Sequence, residues 1–527
     1  MIYHCEDHTC NYWDEGEKLP ERCPQCGRKL LRANEADMTG DDWTALGNTL
    51  WDAEASDKKR MVDCFRKAAY LGSAWGVCNL GICMEQGNGV EADPVQAFWL
   101  YQQAVEMGSL NAVCCLGVCY EHGIGTAPDA KQAAELYCKA AEYGSPRGQM
   151  LLAHAFHDGI GVEADAAEAV NWVRAAAYQR YGEGMYRLGV CYEYGDGVEQ
   201  NWEHAVHWFR EAAESGVSAA MTDLGYCYEK GCGVEQSWEQ AFSWYRRGAE
   251  CGNPVSMSNL GLCYQMGYGV EQNWQEAVKW YEQGAQCGNL QSMHNLACCY
   301  EHGEGVEQNM TEAIRWYTAA AEGGNADDMY ELGWQYDHGE GVEQDMKKAI
   351  CWYERAAKQN HPAAMNSLGE CYAMGRGVPR DLETAMEWYR RAAELGEAMA
   401  DYNMGWHLEQ AGKLSEAYAH YRKAADGNDD SAWWALGRFY ENGVVVAQDG
   451  KEARRCYETG EKLGSVKCKM RLARCKLLGI GGRREKKAGL DLCRQALELA
   501  KESSEKEDYG YEAEMNLLRR TITENES

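Results

Sequence analysis

The amino-acid sequence predicts an all-α solenoid, and three observations carry that reading. A Leu-Gly pair or close variant recurs every 36 residues, glycines recur at fixed offsets behind it, and Asp, Asn or Ser recurs where a second helix would begin. A fixed period of this size marks a stack of supersecondary units. At 527 residues the chain is also too long for one ordinary hydrophobic core.

The register is set by Leu80, Leu116, Leu152, Leu188, Leu224, Leu260, Leu296, Leu332, Leu368 and Met404, each 36 residues from the last. Leu46, Leu436 and Leu472 extend it by steps of 34, 32 and 36, which makes 13 copies. Within a copy, Met257, Leu260, Cys263 and Tyr264 give one apolar face to a first helix. Gly267 ends it, and a glycine holds that place nine times running from Gly87 to Gly375, with another two residues on. The second helix has its own start signal in Asp93, Asp129, Asp165, Asn201, Ser237, Asn273, Asn309, Asp345 and Asp381, all good N-caps. Glu or Gln follows three residues later in six of these nine copies, the pattern of a capping box. Trp172, Trp208, Trp244, Trp280, Trp316, Trp352 and Trp388 then recur in register, with Tyr or Phe after the last six. A tryptophan repeated at one place in every unit reads as the wedge between neighbouring helices and not as a ligand platform. Paired alanines such as Ala212-Ala213 allow close helix approach, and glycines such as Gly216 and Gly252 close the unit.

The net charge of −30 argues against a nucleic-acid partner, because nucleic acid rewards a basic face. The most basic stretch, Val466 to Lys487, reads as a solvated helix face. No run of apolar residues is long enough to span a bilayer, and MIYHCEDHTC lacks the pattern of a secretory leader. The 25 cysteines are therefore expected as thiols or metal ligands in a reducing cytoplasm.

The repeat unit resembles the Sel-1-like repeat family, a relative of the tetratricopeptide repeats with a longer interhelical loop. Ser292 to Ala321 carries nearly the whole pattern: Leu, a small residue, Tyr, Gly-x-Gly-Val, a polar turn, then Ala-x-x-Trp-Tyr-x-x-Ala-Ala. The resemblance covers roughly residues 41–480. The unit at Met404 departs from it, with a loop shortened by four residues. The resemblance implies a right-handed superhelix that binds proteins or peptides on its concave side and acts as an adaptor, not as an enzyme. Some cysteine-rich relatives carry a β-lactamase or penicillin-binding label, which makes a hydrolase the alternative, and a thiol-based regulator is a further one. Those relatives look stapled by a disulfide in each repeat. Here one cysteine recurs, from Cys83 to Cys371, in place of a family Met, without a second recurring partner.

Cys5 and Cys10, then Cys23 and Cys26, form two pairs about a dozen residues apart, and four thiolates so spaced suit tetrahedral zinc. The segment resembles a zinc ribbon or rubredoxin-like knuckle, for which iron is the alternative metal. Cys5-x4-Cys10 is wider than the usual spacing, and His8 competes for the second ligand place. The expected organisation is residues 1–36 as the zinc-ribbon-like head, 41–480 as the solenoid, and 481–527 as capping helices with a polar tail.

Positions that recur build the stack, whereas positions that vary are free to read a partner. Helical geometry at about 100° per residue places three variable positions together: one before the Leu, two after it and six after it. Asp223, Tyr226, Asn259, Asn295, His302, Trp334, His338 and Trp406 occupy them and are the candidate partner-binding residues. No catalytic residue is expected. Ser56-Asp57-Lys58-Lys59 matches Ser-x-x-Lys only formally, in a polar stretch between helices. His154-x-x-His157 and His204-x-x-His207 lack the Glu of a metallohydrolase and read as isolated surface or core histidines.

Overall fold

The structure is a computed structural model that describes residues 2–5, 13–15, 30–33, 35–51, 55–506 and 512–526. Helix after helix follows the expected register, and the chain divides into two compact units, 1–284 and 285–527. The first holds a small antiparallel sheet and seven helix pairs, from Gly40–Thr49 with Ala55–Tyr70 to Pro254–Met266 with Trp274–Gln286. The second holds six pairs, from Leu290–His302 with Met310–Glu322 to Val466–Leu478 with Lys486–Lys506, followed by Glu512–Glu526. These are the 13 helix-turn-helix units of the sequence, and the all-α solenoid is the fold. The sheet was not foreseen: β1 (Ile2–Cys5) pairs with both β2 (Trp13–Glu15) and β3 (Leu30–Ala33).

The caps form as the residues dictate. Gly87, Gly123, Gly159 and their successors adopt φ near +70°, a left-handed conformation that costs glycine little. The second glycine of each loop is needed for a different reason. A Cβ on Gly125 would lie 2.1 Å from the carbonyl oxygen of Pro94, at the start of the preceding pair's second helix. Asp93, Asp129, Asp165 and Asn201 accept from the backbone N–H three residues on. The reciprocal half of the capping box closes only at Thr39–Asp42 among the described caps.

The wedge is not the tryptophan. The residue after it, 21 positions beyond the Leu in most units, is the fully buried one: Tyr101, Tyr137, Phe209, Tyr245, Tyr281, Tyr317, Tyr353, Tyr389 and Tyr457. Except at Tyr317, whose partner position is Ala297, each ring lies on the glycine of the Leu-Gly pair. A Cβ at Gly81, Gly117, Gly225, Gly261, Gly333 or Gly369 would meet the opposing ring at 2.5–2.7 Å, so this glycine is kept for close approach and not for backbone freedom. In several units the ring's hydroxyl donates to a carboxylate five residues after the Leu: Tyr101 to Glu85 at 2.6 Å, Tyr245 to Glu229 at 2.8 Å and Tyr457 to Glu441 at 2.8 Å. Burying a tyrosine contributes about 4–6 kcal/mol of transfer free energy as an upper bound. Most of the tryptophans sit half-buried against it and Trp244 is buried, with arginine guanidiniums over Trp244, Trp352 and Trp388 at 4.1–4.5 Å.

The recurring cysteines behave as small core hydrophobes. Cys83, Cys119, Cys227, Cys263, Cys299 and Cys371 are buried free thiols, and burial pushes them up to about 11 or 12. The basic stretch is not simply a solvated face. Arg471 bridges Glu441 and Glu514, and Arg474 pairs with Glu441, which ties the last helix back onto Val466–Leu478. The Ser56–Lys59 segment is the first turn of a helix and not a link between helices.

Candidate functional site

The stack consumes one side of each first helix and leaves the other to solvent. Tyr226 and Trp406 are exposed at 43 % and 38 %, and Leu262 and Met266 on the same face at 41 % and 50 %. His302 and His338 are exposed as well, while Asp223, Asn259, Asn295 and Trp334 are half-buried. In the 1–284 unit Asp223, Tyr226 and Asn259 lie on two successive pairs. Lys230 sits 5.8 Å over the Tyr226 ring. Burial pushes the Asp223 carboxyl up from the usual range. In the 285–527 unit Asn295 accepts from Gln291 at 3.0 Å, and His302 meets the carbonyl of Cys298 at 3.0 Å. Trp334 stacks on His338 at 4.3 Å and 25°, and the two line a cavity of about 320 Å³ with Asp337, Glu370 and Arg376. Arg376 holds Asp337 at 3.0 Å. Trp406 lies two pairs further along, against His407.

Behind this face the Leu332 unit carries polar residues where other units carry Ala and Cys. Asp328 stands at a small-residue position, is wholly buried, and holds His294 of the preceding pair at 2.7 Å. Its hydrogen bond, then that of Cys298, pushes His294 up to about 10. Gln335 replaces the core cysteine, and neither of its amide atoms has a hydrogen-bond partner.

A second cavity lies on the same face earlier in the chain, away from the candidate partner-binding residues. About 790 Å³ opens across the first helices Leu110–His122, Pro146–Asp158 and Gly182–Tyr194, over the second helix Ala166–Tyr178. His154 and His157, set aside as isolated, line it together with Arg147 and Arg187. Both histidines have carboxylates positioned against them. His154 meets Asp158 at 3.1 Å, and His157 meets Asp196 at 3.1 Å and Asp158 more closely still. The Asp158 bond, and then Asp196, raise His157 above its ordinary range. Arg147 donates to the Cys115 thiol at 3.6 Å. A hydrogen bond from Cys78 and then the Arg147 charge hold that thiol below its usual range. The second pair is unlike the first: His204 packs edge-on to Tyr192 and His207 to Trp208. Among the described residues no three His, Cys, Asp or Glu side chains converge as metal ligands. Cys5 ends β1, and Cys10, Cys23 and Cys26 lie outside the described residues. No described helix is long and apolar enough to cross a membrane.

Helix pairs stacked in 36-residue register with a varied solvent face define a helical-repeat protein, a fold that generally binds other proteins. The Sel1 repeat pattern matches twelve consecutive segments, from residues 76–109 to 466–501, and the chain belongs to the Sel1 repeat family. It is similar to c5321, a protective antigen of uropathogenic Escherichia coli strains with an SLR fold: 29 % identity, 81 % of this chain and 94 % of that one, TM-score 0.61. It is also similar to a Sel1 repeat protein from Oxalobacter formigenes at 31 % identity, over 46 % of this chain and 96 % of that one, TM-score 0.42. No curated protein matches.

Proposed function

We propose that this protein is a non-catalytic scaffold that holds protein or peptide segments on the solvent face of its first helices. The observation that carries the reading is the split between the two sides of those helices. One side repeats a buried Leu, Gly and Cys, while the other presents Tyr226, Leu262, Met266 and Trp406 exposed and different from unit to unit. Large aromatic and Met side chains left in water are the residue types that anchor interfaces. The Sel1 fold supports the reading, since helical repeats of this kind generally bind proteins. Pull-down with the intact chain against the Asn295→Ala/Trp334→Ala double variant tests it. The variant is expected to recover less of at least one partner, and equal recovery of every partner would overturn the choice of face.

The N-terminal cysteines complete the reading. Cys5, Cys10, Cys23 and Cys26 would close a four-thiolate shell around one structural zinc, leaving no open position for a catalytic water. Elemental analysis of the purified chain should find one zinc, lost in Cys23→Ser/Cys26→Ser. No metal in either protein would make these residues ordinary thiols.

A further inference from the structure

One unit breaks the wedge rule, and the break coincides with the 790 Å³ cavity. In the Leu152 unit the wedge position holds Val173 where eleven other units hold Tyr or Phe or, at the chain's end, Cys493 takes over. The glycine that receives the ring is Ala153, and the carboxylate that receives its hydroxyl is His157. All three elements of the ring, glycine and carboxylate set have changed together. Val173, Ala153 and His157 line the 790 Å³ space. The Leu472 unit shows the same pairing of changes, Ala473 with Cys493, whereas Ala297 keeps its Tyr317. Met150, Val170 and Val190 add apolar wall, and charged and histidine side chains make up the rest of the lining. The smaller Val173 is buried where other units bury a ring, and the cavity stands beside it.

The charge at this opening narrows the guest. In a chain of net charge −30, two guanidiniums face the cavity. Arg147 is engaged by a thiol and not by a carboxylate. Arg187 makes no ion pair within 4 Å among the described residues. Of the acids nearby, Asp158 and Asp196 are held by histidines and Glu121 by Tyr137 at 2.6 Å, while Glu183 lines the same cavity. An aromatic ring therefore has an apolar slot, and a carboxylate beside it has two arginines able to make charge-assisted hydrogen bonds.

We infer that this cavity is a docking slot for an aromatic side chain flanked by carboxylates in a partner polypeptide, with the ring taking the place of the missing tyrosine. The inference rests on the scaffold reading and gives it one specific subsite. The probe is the peptide acetyl-Glu-(3-fluorotyrosine)-Glu-amide, followed by fluorine NMR with the full-length chain. A lysine-flanked version, acetyl-Lys-(3-fluorotyrosine)-Lys-amide, serves as the charge control. Two variants are compared with wild type. Ala153→Gly/Val173→Tyr rebuilds the wedge of the other units and closes the slot, and Arg187→Gln removes one anion contact. The acidic peptide should bind wild type at least tenfold more tightly than the lysine-flanked one. Rebuilding the wedge should weaken it at least tenfold in a protein whose melting temperature is not lowered, and Arg187→Gln should weaken it several-fold. Equal binding of both peptides, or undiminished binding to the rebuilt variant, would overturn the inference. If the rebuilt variant loses the peptide but still recovers every pull-down partner, the slot stands as a peptide site and those partners use the Trp334 face. If no peptide binds wild type while Asn295→Ala/Trp334→Ala loses partners, the slot is refuted and the scaffold reading survives.

Discussion

The Leu224 and Leu152 units share a register and differ at all three positions that build the wedge. In the Leu224 unit Tyr245 lies on Gly225 and donates to Glu229, so ring, glycine and carboxylate form one closed set. In the Leu152 unit the corresponding residues are Val173, Ala153 and His157, and a cavity stands beside them. The difference shows that stacking strength and binding space draw on the same position. A unit can spend its aromatic on its own core or leave the slot to a guest. Repeat arrays tolerate such a lapse because each unit leans chiefly on its neighbours.

Truncation should separate the two units most sharply. Tyr245→Ala removes a ring that is 1 % exposed and is expected to cost about 4 kcal/mol, whereas Val173→Ala beside an existing space should cost about 1 kcal/mol. Chemical denaturation of both variants checks this, and equal losses would break the contrast.

A second comparison sets the apolar stacking of the Leu224 unit against the buried ion pair of the Leu332 unit. His294 is held charged, up to about 10, by Asp328 and then Cys298. A cation favoured by the fold contributes its full stability below the unfolded imidazole value of about 6.5 and loses it as pH rises through about 10. His294→Gln should therefore destabilise by about 3 kcal/mol near pH 6, with the gap to wild type closing towards pH 10. Melting curves across that range decide it, and a gap that widens with pH would contradict the assignment.

The hydroxyl alone gives a smaller effect. Tyr245→Phe gives up the bond to Glu229 and should cost about 1 kcal/mol. Tyr389 is equally buried, but Ala373 stands where the carboxylate would be, so Tyr389→Phe should be close to neutral. Similar costs for the two would remove the carboxylate from the account.

The stack, its 13 units and its caps were legible because they depend on local spacing that repeats. The wedge was misassigned because Trp and Tyr are adjacent in sequence, and only packing decides which of two neighbours, about 100° apart on a helix, turns inward. The face of the first helices was legible from variation between units. The 790 Å³ cavity was not, because its signal is the absence of a bulky residue, a valine at Val173 where an aromatic is due. The His154–His157 pair looked isolated because its carboxylates come from the adjacent Asp158 and from Asp196 in the next loop. Asp328 and His294 lie 34 residues apart, a separation at which no short motif could join them.

The central claim is that the Leu152 slot is a vacated wedge site, and the thermal stability of Ala153→Gly/Val173→Tyr tests it most directly. The account predicts a gain of about 1 kcal/mol, because the ring enters a space shaped like those that hold Tyr137 and Tyr245. A loss of that size would mean that the walls around Val173 have closed on the smaller side chain, and that no slot for a ring exists there.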